Sequence, residues 1–129
     1  MNHESKVIFV CEHGAAKSVI AATHFNRLAS QMGLDMHAVA RGTYPDEELS
    51  PQAVKGLSEE GLTPTEAVPQ KLTVTELQSA QRLITFCDLP AEYSQQTRGE
   101  RWEDVPPVSE NYETARDVIV EHIRQILSR

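Results

Sequence analysis

The sequence predicts an α/β fold with one open, four-stranded parallel sheet and helices on both faces. Short apolar runs alternate with stretches of helical periodicity along the chain, which is typical of strands joined by helical crossovers. The first run, residues 7–10, is apolar without interruption, as in a strand that is buried on both faces. At 129 residues, we expect a single domain over residues 1–129.

The first half of the chain carries two predicted strands and two predicted helices. The first strand covers residues 6–11, and helical spacing then starts at Ser18, a potential N-cap, and stops at Gly33. A second strand is predicted over residues 36–40, and the polar residues 44–48 are read as a turn. Ser50 followed by Pro51 indicates the start of a helix that Gly61 ends.

The second half continues the same alternation. Thr73 and Glu76 have the spacing of a capping box and predict a short helix, which leads into a third strand over residues 82–87. A brief fourth strand is predicted near residues 101–103. Ser109 is the expected cap of a final amphipathic helix.

Composition excludes several classes of function. The net charge is −7 and the pI is about 5.2, which argues against binding to nucleic acid or to an anionic membrane surface. The polar start of the sequence and the absence of a long apolar run predict a cytoplasmic protein without a membrane span. Cys11 and Cys87 are too few for a disulfide framework and lack the spacing of metal ligands.

The predicted strands bring reactive and charged side chains to one edge of the sheet. Ligands of open α/β sheets bind beyond the carboxyl ends of the strands, where Cys11, Arg41 and Cys87 are expected. Cys11 enters a loop of small residues that runs into a helix N-terminus, and convergent N–H groups there favour a thiolate beside a bound anion. The alternative is an inert, buried cysteine that ends a strand.

The loop from Cys11 to Ser18, CEHGAAKS, resembles the signature loop of the low-molecular-weight protein tyrosine phosphatases and the related thioredoxin-type arsenate reductases. In that family a cysteine is followed by five residues, an arginine and a serine or threonine. The resemblance covers most of the chain, including Gly42-Thr43 after the second strand, Cys87, and a late stretch with Trp102 and Asp104. It implies the family's flavodoxin-like architecture.

The resemblance also implies roles within the loop. The backbone from Glu12 to Ser18 would bind the oxyanion, and Ser18 would donate a hydrogen bond to the thiolate. The expected oxyanion-binding residues are Glu12, His13, Gly14, Ala15, Ala16, Lys17, Ser18 and Arg41. Gly14 replaces an asparagine that is left-handed in the family, a conformation that glycine adopts without strain. The side chain of His13 either contacts substrate at the rim or is simply exposed.

Lys17 stands where the family has its arginine. A guanidinium donates two parallel hydrogen bonds to a phosphoryl group, whereas an ammonium binds it as a single point charge. We therefore expect Arg41, on the neighbouring strand, to reach over the loop and complete the oxyanion site. The alternative is a solvent-facing arginine at a strand end.

Phosphate-ester cleavage also needs a group that protonates the leaving oxygen. In the family this is an aspartate before a proline, and Asp104 is the best counterpart here. Val105 separates Asp104 from Pro106, so Glu103 is a rival, and Asp88 and Asp46 are weaker candidates.

Cys87 matches the second redox cysteine of the arsenate reductases, but residues 89–98 contain no third cysteine. It is either a redox partner of Cys11 or a buried apolar residue.

The sequence thus predicts a cysteine-dependent phosphatase in which Cys11, Lys17 and Asp104 carry catalysis on a phosphorylated substrate, with no metal or organic cofactor. The alternatives are an arsenate reductase that uses Cys11 with Cys87 or an external thiol reductant, and a phosphate- or phosphopeptide-binding module without turnover.

Overall fold

Four parallel strands form one sheet in the order β2-β1-β3-β4. The computed structural model describes residues 5–94 and 99–128. The strands are β1 Ser5–Cys11, β2 Met36–Gly42, β3 Arg82–Thr85 and β4 Gly99–Arg101. The helices are α1 Lys17–Gln31, α2 Pro51–Glu59, α3 Val74–Ser79, α4 Ala91–Ser94 and α5 Tyr112–Leu127. The predicted fold class is confirmed.

The central position of β1 follows from its apolar sequence. Successive side chains of a strand point to opposite faces, so Val7 and Phe9 pack against α1, α2 and α5, whereas Ile8 and Val10 pack against residues of α3 and α4. All four side chains are fully buried. None of the helices in the described residues is long and apolar enough to cross a membrane.

Two predicted helix starts are confirmed by their caps. The Ser50 side chain accepts a hydrogen bond from the backbone N–H of Ala53 at the start of α2. The capping box that opens α3 has both of its bonds, from Glu76 N–H to Thr73 Oγ1 and from Thr73 N–H to Glu76 Oε2.

Two other predicted caps are wrong. Ser18 is the second residue of α1, whose N-cap position is occupied by Ala16 without a side-chain hydrogen bond. The cap of α5 is Asn111, which accepts the N–H of Thr114, and not Ser109. In both cases the serine is a competent cap locally, and packing elsewhere decides where the helix begins.

The region after β3 differs most from prediction. β3 ends at Thr85, so Cys87 lies two residues beyond the strand that the sequence predicts to include it. The short helix α4 has no counterpart in the sequence-based prediction, and β4 lies two residues before its expected position. Residues 95–98 lie outside the described part of the chain.

Candidate active site

Cys11 lies at the carboxyl end of the central strand, between β2 and β3. Its Sγ is 3.0 Å from the Oγ of Ser18 in the first turn of α1, and Ser18 is fully buried. This contact between residues seven apart confirms the predicted pairing of the thiol with the serine hydroxyl. Either of these two atoms can be the donor of the hydrogen bond.

The carbonyl groups of the loop between β1 and α1 are bound by the segment that follows β2. The N–H of Tyr44 donates to Glu12 O at 2.7 Å, and the N–H of Asp46 donates to His13 O at 3.0 Å. The N–H of Ser50 donates to Ala15 O at 2.9 Å. The loop is therefore fastened along its length by backbone contacts that do not depend on side-chain identity.

Gly14 allows the loop to approach β2 closely. It has φ of +62°, the left-handed conformation expected for it. A Cβ on Gly14 would lie 2.8 Å from Gly42 N, and a Cβ on Gly42 would lie 2.7 Å from Gly14 N. The two glycines thus allow backbone to pack on backbone at a distance that no side chain permits.

Three carbonyl groups of the loop accept hydrogen bonds, whereas its N–H groups are left for a ligand. Within the described chain, the backbone N–H groups of residues 12–16 donate to no protein acceptor. The first N–H groups of α1 add to them, because the first turn of a helix has no internal acceptors. Such an array beside a helix N-terminus binds anions.

A cavity of about 670 Å³ opens over the loop and contains the thiol. Its walls are the loop, the segment 46–51 and two residues that follow β3, Phe86 and Cys87. Four carboxylate residues line it, and in the described residues Lys17 is the only lysine or arginine that does so. The carboxylate residues are Glu12, Asp46, Glu47 and Glu48.

The ammonium of Lys17 contacts the late loop, the stretch between β4 and α5. Its Nζ donates to Val105 O at 2.9 Å. An ammonium has three N–H donors, so this bond leaves two for an anion in the cavity that the lysine lines. Lys17 thereby links the thiol loop to the stretch between β4 and α5, a contact that the sequence did not predict.

The expectation that Arg41 completes the oxyanion site needs correction. Arg41 pairs with Val10 across the sheet, so its side chain lies on the face opposite Phe9 and α1. Its guanidinium donates to Glu76 Oε1 at 2.7 Å and to Glu66 Oε1 at 2.9 Å. Burial alone would raise the pKa of Glu76, but hydrogen bonds from Arg41 and Thr73 outweigh it and hold the pKa below its usual value.

The structure does not bring Asp104 to the thiol either. Both carboxylate oxygens of Asp104 lie within 2.9 Å of His122 Nε2 on α5, and Asp104 lines a hollow on that helix. Glu103 is exposed and pairs with Arg101 Nε at 3.3 Å. The late loop therefore contributes a carbonyl, and not the predicted acid, to the neighbourhood of Lys17.

The two cysteines lie in the same cavity as free thiols. Burial, with added repulsion from Cys11 and Glu12, raises the pKa of the Cys87 thiol to about 11. Cys87 thus stays protonated at neutral pH, as a thiol that faces the cavity but is not itself an activated nucleophile.

The sequence predicted the acidic segment after β2 as a polar turn with Asp46 as a weaker candidate acid, but not that the whole segment lines the site. Residue type alone indicates only a polar turn. The segment does, however, follow the end of β2, which pairs with Cys11, and this position was a signal that it lies near the thiol. Among the described residues, no group of three or more His, Cys, Asp or Glu side chains is placed to hold a metal ion.

The fold and the site define an α/β protein in which a cysteine ends the central strand and opens a loop that leads into a helix. The sequence profile of the low-molecular-weight phosphotyrosine protein phosphatases matches residues 6–122. The chain belongs to this family. No curated protein sequence matches it.

Solved structures have the same fold. YfkJ from Bacillus subtilis superposes with a TM-score of 0.83 at 20% identity, over 98% of this chain and 94% of that one. A thioredoxin-dependent arsenate reductase from Corynebacterium glutamicum has a TM-score of 0.73 at 24% identity, over 96% of this chain and 60% of that one. A mutant of the B. subtilis YwlE arginine phosphatase with a phosphorylated active-site serine has a TM-score of 0.75 at 19% identity, over 94% and 92% of the two chains.

Proposed function

We propose that the protein is a cysteine-dependent phosphatase that hydrolyses a phosphate monoester through a cysteinyl-phosphate intermediate. One observation carries the proposal: three carbonyls of the loop are bound by the segment after β2, which leaves a row of N–H donors beside Cys11 Sγ. A nucleophile at the base of an anion-binding loop is suited to attack on phosphorus.

In the proposed reaction, the thiolate of Cys11 attacks phosphorus, an S–P bond forms, and the P–O bond to the leaving group breaks. Ser18 donates its hydroxyl hydrogen bond to the sulfur, and the loop N–H groups with Lys17 bind the phosphoryl oxygens. Water then attacks phosphorus, the S–P bond breaks, and inorganic phosphate and the thiolate are released. The leaving oxygen takes up a proton from solvent in the first step, and the attacking water gives one back to solvent in the second. Aryl phosphates need the first of these protons least, because their leaving group is the weakest base.

The family assignment supports a phosphatase, and the phosphorylated serine in the YwlE mutant supports a covalent phosphoryl intermediate at the corresponding type of site. The proposal is tested with an aryl phosphate. We expect turnover by the natural chain, loss of turnover in Cys11→Ser, and a radiolabelled phosphoprotein when the reaction is stopped by rapid denaturation. Turnover that survives Cys11→Ser would refute the proposal.

The shared cavity of Cys11 and Cys87 favours an arsenate reductase as the second candidate. Cys11 would attack arsenate with loss of water, and the sulfur of Cys87 would then attack Cys11 Sγ. Arsenic would leave with the S–As electron pair as arsenite, and the two thiols would become a disulfide. An external dithiol such as a thioredoxin would reduce this disulfide.

The two candidates are separated by product and by residue dependence. Arsenite production that requires a dithiol and is lost in Cys87→Ser, without aryl phosphatase activity, would favour the reductase. Phosphatase activity that persists in Cys87→Ser would favour the phosphatase. Phosphate binding with neither activity would identify a binding module.

A further inference from the structure

The mouth of the cavity is strongly acidic, which is unexpected for a site that binds a dianion. Asp46, Glu47, Glu48 and Glu12 all line the cavity, and all four are exposed. The acidic segment is held in place, because Asp46 N–H donates to the thiol loop and Ser50 N–H anchors its other end. The carboxylates therefore belong to the wall of the site.

These charges are not neutralised by neighbouring cations. Within the described chain, Glu47 and Glu48 form no ion pair. Glu12 and Asp46 approach only the imidazole of His13, at 3.6 Å and 3.2 Å. Lys17, the cation at the base of the cavity, already donates to Val105 O.

The charge layout is thus bipolar. The thiol, Lys17 and most of the loop behind them are buried or half-buried and form the base, whereas the four carboxylate residues are exposed and form the mouth. A phosphate monoester with no positive charge is repelled on approach, over distances shorter than the Debye length at physiological salt. A ligand with cationic groups a few ångströms from its phosphoryl group matches both parts of the site.

The volume of the cavity favours a side chain with its neighbours over a bare anion. About 670 Å³ lies within the range of pockets that enclose whole organic ligands. Leu49 and Phe86 give the walls an apolar surface on which a phosphorylated side chain can pack.

We propose that the substrate is a phosphorylated protein segment in which lysine or arginine residues flank the phosphorylated residue, and that Asp46, Glu47 and Glu48 select it. This inference rests on the proposed function for the identity of the reacting group. The selection itself is a property of binding and can be measured without turnover.

The test compares two phosphotyrosine peptides of equal length, one with lysine and one with serine at the flanking positions. Binding is measured by fluorescence anisotropy on the Cys11→Ser variant, and kcat/KM is measured on the active chain. We expect the lysine peptide to be preferred roughly tenfold, since three exposed charge pairs each contribute a few-fold. The preference should fall as salt is raised.

A matched pair of triple variants assigns the effect to the mouth. The mouth variant, which combines Asp46→Asn, Glu47→Gln and Glu48→Gln, should abolish most of the preference for the lysine peptide over the serine peptide. The control variant, Asp35→Asn with Glu59→Gln and Glu121→Gln, removes the same charge from exposed positions outside the cavity. It should leave the preference for the lysine peptide within about twofold of that of the natural chain.

The outcomes separate the two proposals. A lysine preference in binding that disappears only in the mouth variant supports the inference, even if no peptide is hydrolysed and the phosphatase proposal fails. Equal binding of both peptides, or equal loss of preference in the two triple variants, overturns the inference, even if both peptides are hydrolysed.

Discussion

Replacing Gly14 with alanine should destabilise the protein and disrupt the thiol loop together. The new Cβ would meet backbone atoms of β2, with Gly42 N at 2.8 Å and Gly42 Cα at 3.0 Å, so no side chain can move aside. The left-handed φ adds roughly 1 kcal/mol for a residue with a Cβ. Forcing an extra carbon into packed backbone adds about 1–3 kcal/mol. We therefore expect the free energy of unfolding to fall by about 2–4 kcal/mol.

Two other glycines separate these contributions. Gly33 has a φ of +70° and no atom within 4 Å of the position that a Cβ would take, so Gly33→Ala should lose only the conformational part, about 1 kcal/mol. Gly42→Ala has the close backbone contact without a left-handed φ. Urea unfolding measures all three, and at this size 1 kcal/mol lowers Tm by about 4 °C.

The functional readout is protection of Cys11 from iodoacetate by inorganic phosphate. Gly14→Ala should weaken this protection at least about tenfold, because the N–H array depends on the approach of the loop to β2. Gly33→Ala should leave it unchanged. If Gly14→Ala is no less stable than Gly33→Ala and is protected equally well, close backbone packing does not shape the anion site.

Three further predictions concern titratable groups. Asp104→Asn should lower kcat for an aryl phosphate less than about threefold, whereas loss of a general acid typically reduces the rate by about 10²–10⁴; a loss of that size would show that Asp104 acts in catalysis. Because the pKa of Cys87 is raised to about 11, roughly one thousandth of it is thiolate at pH 8. Mass spectrometry should therefore find Cys11 alkylated long before Cys87, and the reverse order would contradict the assignment. Burial lowers the pKa of His24 despite Glu60 beside it, so the folded state binds fewer protons than the unfolded state and stability should fall as pH drops below about 6.5. In His24→Asn, the loss of stability between pH 7.5 and pH 5.5, measured by urea unfolding, should be smaller. An equal loss in the variant would contradict the role of His24 in this pH dependence.

Local signals in the sequence were sufficient for most elements of the fold. The apolar run before Cys11 predicted a central strand, and Ser50-Pro51 and the Thr73–Glu76 box predicted two helix starts. These features depend on residues within a few positions of one another, so they can be read without knowing the tertiary structure. The loop and its partner Ser18 belong to the same category, because both follow directly from a strand, a turn and a helix in succession.

Competition between equivalent local signals was decided by packing. Ser109 and Asn111 are both competent caps, but α5 begins after Asn111 because Tyr112 lies against Gly56 of α2. A Cβ on Gly56 would lie 2.4 Å from the Tyr112 ring, and the Tyr112 hydroxyl donates to Glu60 Oε2 at 2.5 Å. Nothing within the sequence of α5 carries this information.

The same division applies to the site. The sequence by itself determined the position of Cys11 at the end of the central strand, the glycine at the left-handed position and the order of strand, loop and helix, because each is local. Only the tertiary structure decided that Arg41 faces the other side of the sheet and that Asp104 pairs with α5. It also decided that Lys17 donates to Val105 and that the acidic segment after β2 borders the thiol. Each of these depends on strand register or on contacts between segments far apart in the chain, which residue type and spacing do not specify.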